Sequence, residues 1–193
     1  MNEVALAHPG AEVRVWAEDE ARYGLIPTVR RIWATVLQRP LALGKRSYKW
    51  GYLYGFVEPE TGRLFNMFAD SVNTELFNVA LAEFAKFADL GPARQVVLVL
   101  DNAGWHVAND LKVPDGVHLC HLPPYSPELQ PAERLWPLVN EATANRAFAN
   151  MDELDLVVGR RVEQLEAQPD VVRAHTHWHW WSGARCALPV ASG

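Results

Sequence analysis

An uninterrupted apolar segment that ends abruptly on an acid constrains this chain more than any other feature. The segment runs from Val96 to Leu100, and the acid is Asp101. Because the apolar side chains do not alternate with polar ones, the pattern predicts a strand over 95–100 that other elements cover on both faces. A helix-linked crossover would make it parallel to an earlier strand. Asp101 would then lie at the carboxyl end of that strand, where open α/β sheets collect ligands.

Two further acids follow predicted elements. Residues 12–18 alternate apolar and polar side chains like a half-buried strand, and residues 22–27 are typical of a loop. This pattern places Asp19, between Glu18 and Glu20, at a strand end. The third acid, Glu133, follows a proline-rich loop. Three converging carboxylates would suit two-metal phosphodiester chemistry, although each acid taken alone could equally be a cap or a solvated side chain.

The remaining pattern predicts a mixed five-stranded sheet flanked by helices, an α/β fold. Residues 48–57 and 63–68 form a hairpin around a turn at 58–62, so that the sheet has three antiparallel strands followed by two parallel ones. The last strand spans 117–122 and stops at two prolines. The predicted helices span 73–90, 132–145 and 152–168, and Glu133 would lie on the first turn of the second helix.

Length and composition favour a single domain over residues 1–193. Apolar residues make up 49% of the chain and charged residues 21%, which is typical of a globular protein. No apolar segment approaches the roughly 20 residues of a membrane helix, and the amino terminus lacks the features of a signal peptide. We therefore expect a cytoplasmic protein without membrane contact, in which Cys120 and Cys186 are reduced thiols.

The overall charge argues against tight nucleic-acid binding by this chain alone. Its net charge is −5 and its isoelectric point about 5.8, whereas affinity for DNA depends on neutralising phosphates with basic residues. Basic residues are grouped locally at Arg30-Arg31 and at Lys45-Arg46, with Lys49 nearby. These groups could be a DNA-contacting rim or ordinary solvated surface.

Three ordered motifs indicate a family. Asp19 to Gly24 with Arg31 to Ala34 resembles the first signature of the bacterial insertion-sequence branch of the mariner superfamily of DDE transposases. Leu100 to His106 resembles the second signature, and Leu122 to Trp136 the third. The resemblance covers roughly residues 13–181, and three signatures in this order are far more specific than any one pair of acids.

The resemblance implies a ribonuclease-H-like fold and a catalytic triad of Asp19, Asp101 and Glu133 that also binds metal. It further implies Mg²⁺ or Mn²⁺, two ions, with Asp19 bridging both and each of the other acids holding one. Carboxylate oxygens suit these cations. The implied activity is cleavage of DNA strands at transposon ends followed by transfer of the freed 3′-hydroxyl to target DNA, in an active complex that is expected to be a homodimer.

Other residues receive supporting roles. His106 could lie just behind the metal ligands or point elsewhere, and Asn102 is a similar candidate. An alternating run, His175 to His179, could bind zinc if it were a strand, but packing of a tryptophan-rich tail is the favoured interpretation. The residues expected to contact DNA are Arg31, Trp33, Lys45, Arg46, Tyr125 and Arg134.

The chain also departs from the family pattern. The interval from Asp101 to Glu133 is shorter than usual, and Ala132 replaces the usual isoleucine. We expect this chain to lack the helix-turn-helix DNA-binding region of the family, which a separate reading frame, a frameshifted fusion or a truncation would explain. The alternatives are therefore a ribonuclease-H-like nuclease that only hydrolyses DNA, or an inactive truncated transposase remnant.

Overall fold

A mixed five-stranded sheet forms the centre of the protein. The structure, a computed structural model, describes residues 1–31, 33, 35, 47–124 and 126–178. The strand order is β3-β2-β1-β4-β5; β1 to β3 pair antiparallel, whereas β4 and β5 run parallel to β1. The predicted sheet is thus confirmed. The strands are β1 (Glu12–Gly24), β2 (Trp50–Glu58), β3 (Arg63–Ala69), β4 (Arg94–Leu100) and β5 (Val117–His121).

Helices cover both faces of this sheet. The side chains of Asn73 and Asn150 cap α2 and α4 by accepting hydrogen bonds from backbone N–H groups. The sequence pattern predicted α2 and α4 but neither α1 nor α5, which are short. The helices are α1 (Asn2–Ala7), α2 (Thr74–Phe87), α3 (Leu135–Asn140), α4 (Met151–Glu166) and α5 (Pro169–Thr176), with 3-10 turns at Pro127–Leu129 and Pro131–Arg134. No helix in the described ranges is long and apolar enough to cross a membrane.

Two hydrophobic layers result from this arrangement. Trp16, Tyr54 and Phe56 of the sheet pack with Phe77 and Phe84 of α2. On the opposite face, sheet residues such as Val57 and Val99 pack with residues of α3, α4 and α5. Strand β4 contributes to both layers, as its unbroken apolar pattern predicted. An acidic side chain on this sheet can therefore point into either of these two layers.

Strand β1 is longer than predicted. It continues to Gly24, and its pairing with β2 extends from Ala17–Val57 to Gly24–Trp50. The loop expected from residue 22 is therefore wrong for Arg22 to Gly24, and Asp19 lies within the strand instead of at its end. The parallel pairing with β4 stops at Ala17. Because β2 alone supports the second half of β1, that half does not show the apolar pattern of a central strand.

The predicted helix over 132–145 is also wrong in its form. Glu133 lies on the 3-10 turn Pro131–Arg134, and only Leu135–Asn140 is α-helical. Pro137 has no N–H to donate to the carbonyl of Glu133, so a regular α-helical first turn cannot close there. The tighter turn before α3 therefore sets the direction of the Glu133 side chain.

Candidate metal-binding site

The three acids predicted from sequence line one cavity. Asp19 comes from the middle of β1, Asp101 follows the end of β4, and Glu133 comes from the 3-10 turn before α3. The cavity has a volume of about 380 Å³. Its remaining lining residues are Asn102, Ala103, Leu122, Pro123, Pro124, Ser126 and Gln130.

A hydrogen bond from Trp136 holds Asp19 in place, and the ring of Trp136 fits there because residue 55 is a glycine. The indole Nε1 of Trp136 donates a hydrogen bond of 2.7 Å to Oδ2 of Asp19. Gly55 is the β2 residue paired with Asp19. A Cβ at this glycine would lie 2.5 Å from Cη2 of Trp136, so only glycine leaves room for the ring in this position. One carboxylate oxygen of Asp19 is thus fixed by the protein.

The environment of Asp19 disfavours a lone negative charge. Burial raises the pKa of Asp19 to about 7, and the charges of Glu20 and Glu133 act in the same direction, against the lowering effect of the hydrogen bond from Trp136. Partial burial also raises the pKa of Glu133, with further contributions from Asp101 and Glu128. A bound cation would relieve this mutual repulsion.

Asp101 also has one oxygen occupied. Its Oδ1 accepts hydrogen bonds from the backbone N–H of Ala103 at 2.9 Å and from Nδ1 of His106 at 2.8 Å. The side chain is 56% exposed, so its second oxygen is accessible from the cavity. The neighbouring Asn102 donates to the carbonyl of Leu122 at 2.6 Å, which ties the loop after β4 to the chain after β5.

The turn that carries Glu133 is anchored by Gln130. This buried side chain donates to the carbonyl of Glu18 at 2.8 Å and accepts a hydrogen bond from the N–H of Ala132. The Gln130 amide therefore links the 3-10 turn directly to the backbone next to Asp19. The sequence offered no signal for this role beyond the position of Gln130 within the third motif.

The neighbours of Asp19 in sequence lie on the opposite face of the sheet. Glu18 and Glu20 share the face of Trp16, because side chains alternate along a strand. There they meet His106, and one ligand atom from each of the three residues lies within 4.8 Å of the others. Neither Glu18 nor Glu20 was predicted to be a site residue. The sequence signal for their position is their two-residue spacing after Trp16, which places all three side chains on one face of a strand.

The expected DNA-contacting residues are only partly described. Arg31 and Trp33 are exposed, but neither lines the cavity. The guanidinium of Arg134 stacks on the ring of Trp178 at 4.5 Å. Lys45, Arg46 and Tyr125 lie outside the described residues, so their roles stay predictions.

The segment that leads to Arg31 is fixed by one asparagine. Asn145 adopts a positive φ of 58°, and its side chain accepts from the N–H of Arg30 and donates to the carbonyl of the same residue. Its own N–H donates to the carbonyl of Thr28. Asn145 thereby attaches this segment to the chain that follows α3.

The strand-based zinc hypothesis for His175 to His179 is wrong in its geometry. His175 lies on α5, and its Nδ1 contacts the carbonyl of Val171 at 2.8 Å. His177 follows the end of α5, so His175 and His177 do not alternate along one strand as the hypothesis assumed. His179 lies outside the described residues. Cys120 is a half-buried free thiol, as expected, while Cys186 also lies beyond the described part.

The sequence matches a family model over most of its length. The model describes a DDE superfamily endonuclease and matches residues 14–155, a span that includes all three cavity acids. The chain is also 40% identical over 106 residues to the uncharacterised protein y4pE/y4sA of Sinorhizobium fredii, a match that covers 54% of this chain and 77% of that protein.

Solved transposase structures share the fold. The Mos1 transposase paired-end complex with the left transposon end matches with a TM-score of 0.53 and 14% identity, covering 86% of this chain and 56% of that one. The Mos1 mariner paired-end complex with Mn matches with a TM-score of 0.52 and 15% identity over the same shares. The chain therefore spans little more than half the length of these transposases. The likeness shows that its sheet and flanking helices form the catalytic fold of Mos1, which is ribonuclease-H-like.

Proposed function

Because the chain belongs to the DDE superfamily endonucleases, we propose that it is a transposase catalytic domain that cuts DNA at transposon ends and joins them to target DNA. One observation carries this proposal. Three separate segments of the matched region bring Asp19, Asp101 and Glu133 to a single cavity. Carboxylates spread this widely along a chain seldom gather in one cavity unless they share a ligand.

The acids fit a divalent metal. All three offer carboxylate oxygens, the ligands that Mg²⁺ and Mn²⁺ prefer. The protein occupies one oxygen each of Asp19 and Asp101, which leaves the other available for coordination. Asp19, the most buried of the three, would bridge two ions, while Asp101 and Glu133 would hold one each. Bound ions would supply the Lewis acidity for in-line displacement at phosphorus.

The residues of this chain would position DNA and metal for two successive reactions. In the first, a water oxygen forms a bond to phosphorus as the bond to the 3′-oxygen breaks, which frees a 3′-hydroxyl. In the second, that hydroxyl attacks a target phosphate and displaces the target's own 3′-oxygen. Both are displacements at phosphorus that need the same acids, so one cavity can serve both.

Recognition of transposon ends would require a further region. The chain carries a net charge of −5, which does not favour tight binding to DNA on its own. We propose that a helix-turn-helix region, fused or separately encoded, binds the terminal repeats, and that the active complex is a homodimer. The related Sinorhizobium protein supports a bacterial setting, so the complex would act in the cytoplasm on the nucleoid.

The first experiment tests cleavage. The 193-residue chain is incubated with supercoiled plasmid and Mn²⁺ or Mg²⁺, and nicked product is quantified on a gel. We expect divalent-dependent nicking that falls at least 100-fold in Asp19→Asn, Asp101→Asn and Glu133→Gln. Asp110→Asn, an exposed acid that does not line the cavity, serves as control. Full activity in all three site variants would refute the proposal.

The second experiment separates a transposase from a nuclease that only hydrolyses DNA. Pre-cleaved DNA ends with a free 3′-hydroxyl, taken from the borders of the genomic element that encodes the chain, are mixed with a target plasmid. Covalent joining of the ends to the target supports the transposase. Nicking without joining, when the DNA-binding region is also supplied, would identify the hydrolytic enzyme instead.

A further inference from the structure

His106 connects the two faces of the sheet. Its side chain is 1% exposed, and both of its ring nitrogens contact carboxylates. Nδ1 lies 2.8 Å from Oδ1 of Asp101, while Nε2 lies 3.2 Å from Oε1 of Glu20 and 3.4 Å from Oε2 of Glu18. The ring therefore bridges an acid of the cavity and two acids on the α2 face.

The two glutamates behind His106 are costly to bury. Glu18 is completely buried, and neither of its carboxylate oxygens accepts a hydrogen bond from any described group. Glu20 is nearly buried and accepts a hydrogen bond of 2.7 Å from Nε1 of Trp105. Apolar side chains packed against Phe77 and Trp16 would stabilise this layer better. The acids are thus poorly explained by stability alone.

The arrangement keeps the imidazole in a defined state. With a carboxylate at each nitrogen, a doubly protonated ring can donate in both directions. Phe77 packs on the ring with centroids 4.4 Å apart, which limits its rotation.

We propose that Glu18, Glu20 and His106 form a positioning unit that orients Asp101 for metal binding from behind the sheet. The unit fixes Oδ1 of Asp101 together with the N–H of Ala103, so that the other oxygen faces the cavity. This inference rests on the proposed function, because it assumes that Asp101 holds a metal ion.

The orientation would matter because Asp101 is otherwise free to turn. It follows the last residue of β4 and is more than half exposed, so its carboxylate would lose rotational freedom on binding a cation. A hydrogen bond made in advance reduces that loss. Groups that orient metal ligands in this way typically change metal affinity 10–100-fold when removed.

The experiment measures Mn²⁺ binding by calorimetry on the full chain, alongside thermal unfolding. We expect His106→Ala to weaken binding at least tenfold. His106→Asn, whose amide can reach the position of Nδ1 and still donate to Asp101, should stay within about threefold of wild type. In nicking assays, His106→Ala should need more Mn²⁺ for half-maximal rate but recover most of the rate when Mn²⁺ is saturating. A purely structural role would instead lower the melting temperature and the saturated rate.

Pairs of substitutions test the connectivity. Glu20→Gln keeps the size and the acceptor for Trp105 but removes the charge, and we expect a smaller loss of Mn²⁺ affinity. Added to His106→Ala, it should cause no further loss, because both act through one contact. Trp136→Phe acts on Asp19 instead. The losses of Mn²⁺ affinity caused by Trp136→Phe and by His106→Ala should therefore multiply in the double variant.

The outcomes separate this inference from the proposed function. If the wild-type chain binds Mn²⁺ and nicks DNA while His106→Ala binds with unchanged affinity, the positioning unit is wrong and the proposed function stands. Multiplying losses in the His106→Ala, Glu20→Gln pair would also overturn it. If the wild-type chain neither binds Mn²⁺ nor nicks DNA, both ideas fail together.

Discussion

Trp136 donates a 2.7 Å hydrogen bond from its indole nitrogen to Oδ2 of Asp19, although the two residues are far apart in the chain. Its ring lies over Gly55, the β2 partner of Asp19. The third motif thus contributes to the site twice, since it supplies Glu133 and also fixes the acid of the first motif.

Trp136→Phe removes the hydrogen bond to Asp19 and keeps most of the ring. We expect Mn²⁺ affinity to fall about tenfold, because Asp19 loses the donor that fixes one of its oxygens. Titration calorimetry measures this change. Trp50→Phe is the matched control, since Trp50 does not line the cavity. Equal affinities for both variants would show that the indole contact has no role in binding.

Gly55→Ala places a Cβ 2.5 Å from Cη2 of Trp136, so that the ring must move. We expect a loss of about 1–3 kcal/mol in the free energy of unfolding, together with weaker Mn²⁺ binding. Gly91→Ala is the control, because a Cβ at that position meets nothing within 4 Å. Chemical denaturation gives the stability of each variant.

A second substitution that removes the clashing atom of Trp136 tests the same contact. Phenylalanine has no Cη2 atom, so the double variant Gly55→Ala, Trp136→Phe should be destabilised by less than the two single changes added together. Strict additivity would indicate that Gly55 serves the strand and not the tryptophan.

Gln130→Leu should loosen the turn that carries Glu133. The substitution keeps a similar volume but leaves the carbonyl of Glu18 and the N–H of Ala132 without their amide partner. Buried groups left unpaired cost about 1–3 kcal/mol each, and nicking should fall at least tenfold as Glu133 shifts. Gln130→Glu, which keeps the acceptor for Ala132 only, should lie between wild type and Gln130→Leu in stability.

Without divalent cations, the protein should become less stable as pH rises from 5 to 8. The folded state raises the pKa of Asp19 from its ordinary value of 3.8 to about 7. It therefore binds this proton more tightly than the unfolded chain, and the resulting stabilisation is lost as pH rises through about 7. Burial raises the pKa of Glu18 as well, which acts with the same sign.

Thermal unfolding checks this dependence. We expect the melting temperature to fall by on the order of 5 °C across the range, and Mn²⁺ at pH 8 to restore it, because a ligand of the folded state stabilises that state. Asp19→Asn should flatten the pH profile, whereas Asp110→Asn should not. A metal-free profile that rises with pH would contradict the expected sign.

Local patterns were sufficient for much of this fold. The apolar segment of β4, the hairpin turn and the amphipathic faces of α2 and α4 each depend on neighbours a few residues away, and each was confirmed. The predicted end of β1 was wrong, because the length of this strand depends on its pairing with β2 and on where β4 stops. The form of the turn at Glu133 could have been inferred more closely from Pro137.

The convergence of three acids on one cavity could be predicted from the sequence, but the contacts that support them could not. Asp19, Asp101 and Glu133 stand in motifs that can be compared directly with a family. Gln130, Glu18 and Glu20 act through contacts with residues distant in sequence, and no local pattern encodes such partners. Strand alternation alone does separate Asp19 from Glu20, and it indicates that neighbouring acids belong to different environments.

The alternation along β1 has a genetic consequence. Adjacent codons specify an acid that faces the cavity and an acid that faces the far layer, so single-codon changes one triplet apart should give different defects. Loss of the Asp19 carboxylate would abolish DNA processing at any ion concentration, whereas loss of the Glu20 charge would leave an enzyme that excess manganese can rescue. A mutational scan at two manganese levels would therefore show a period of two residues along this strand.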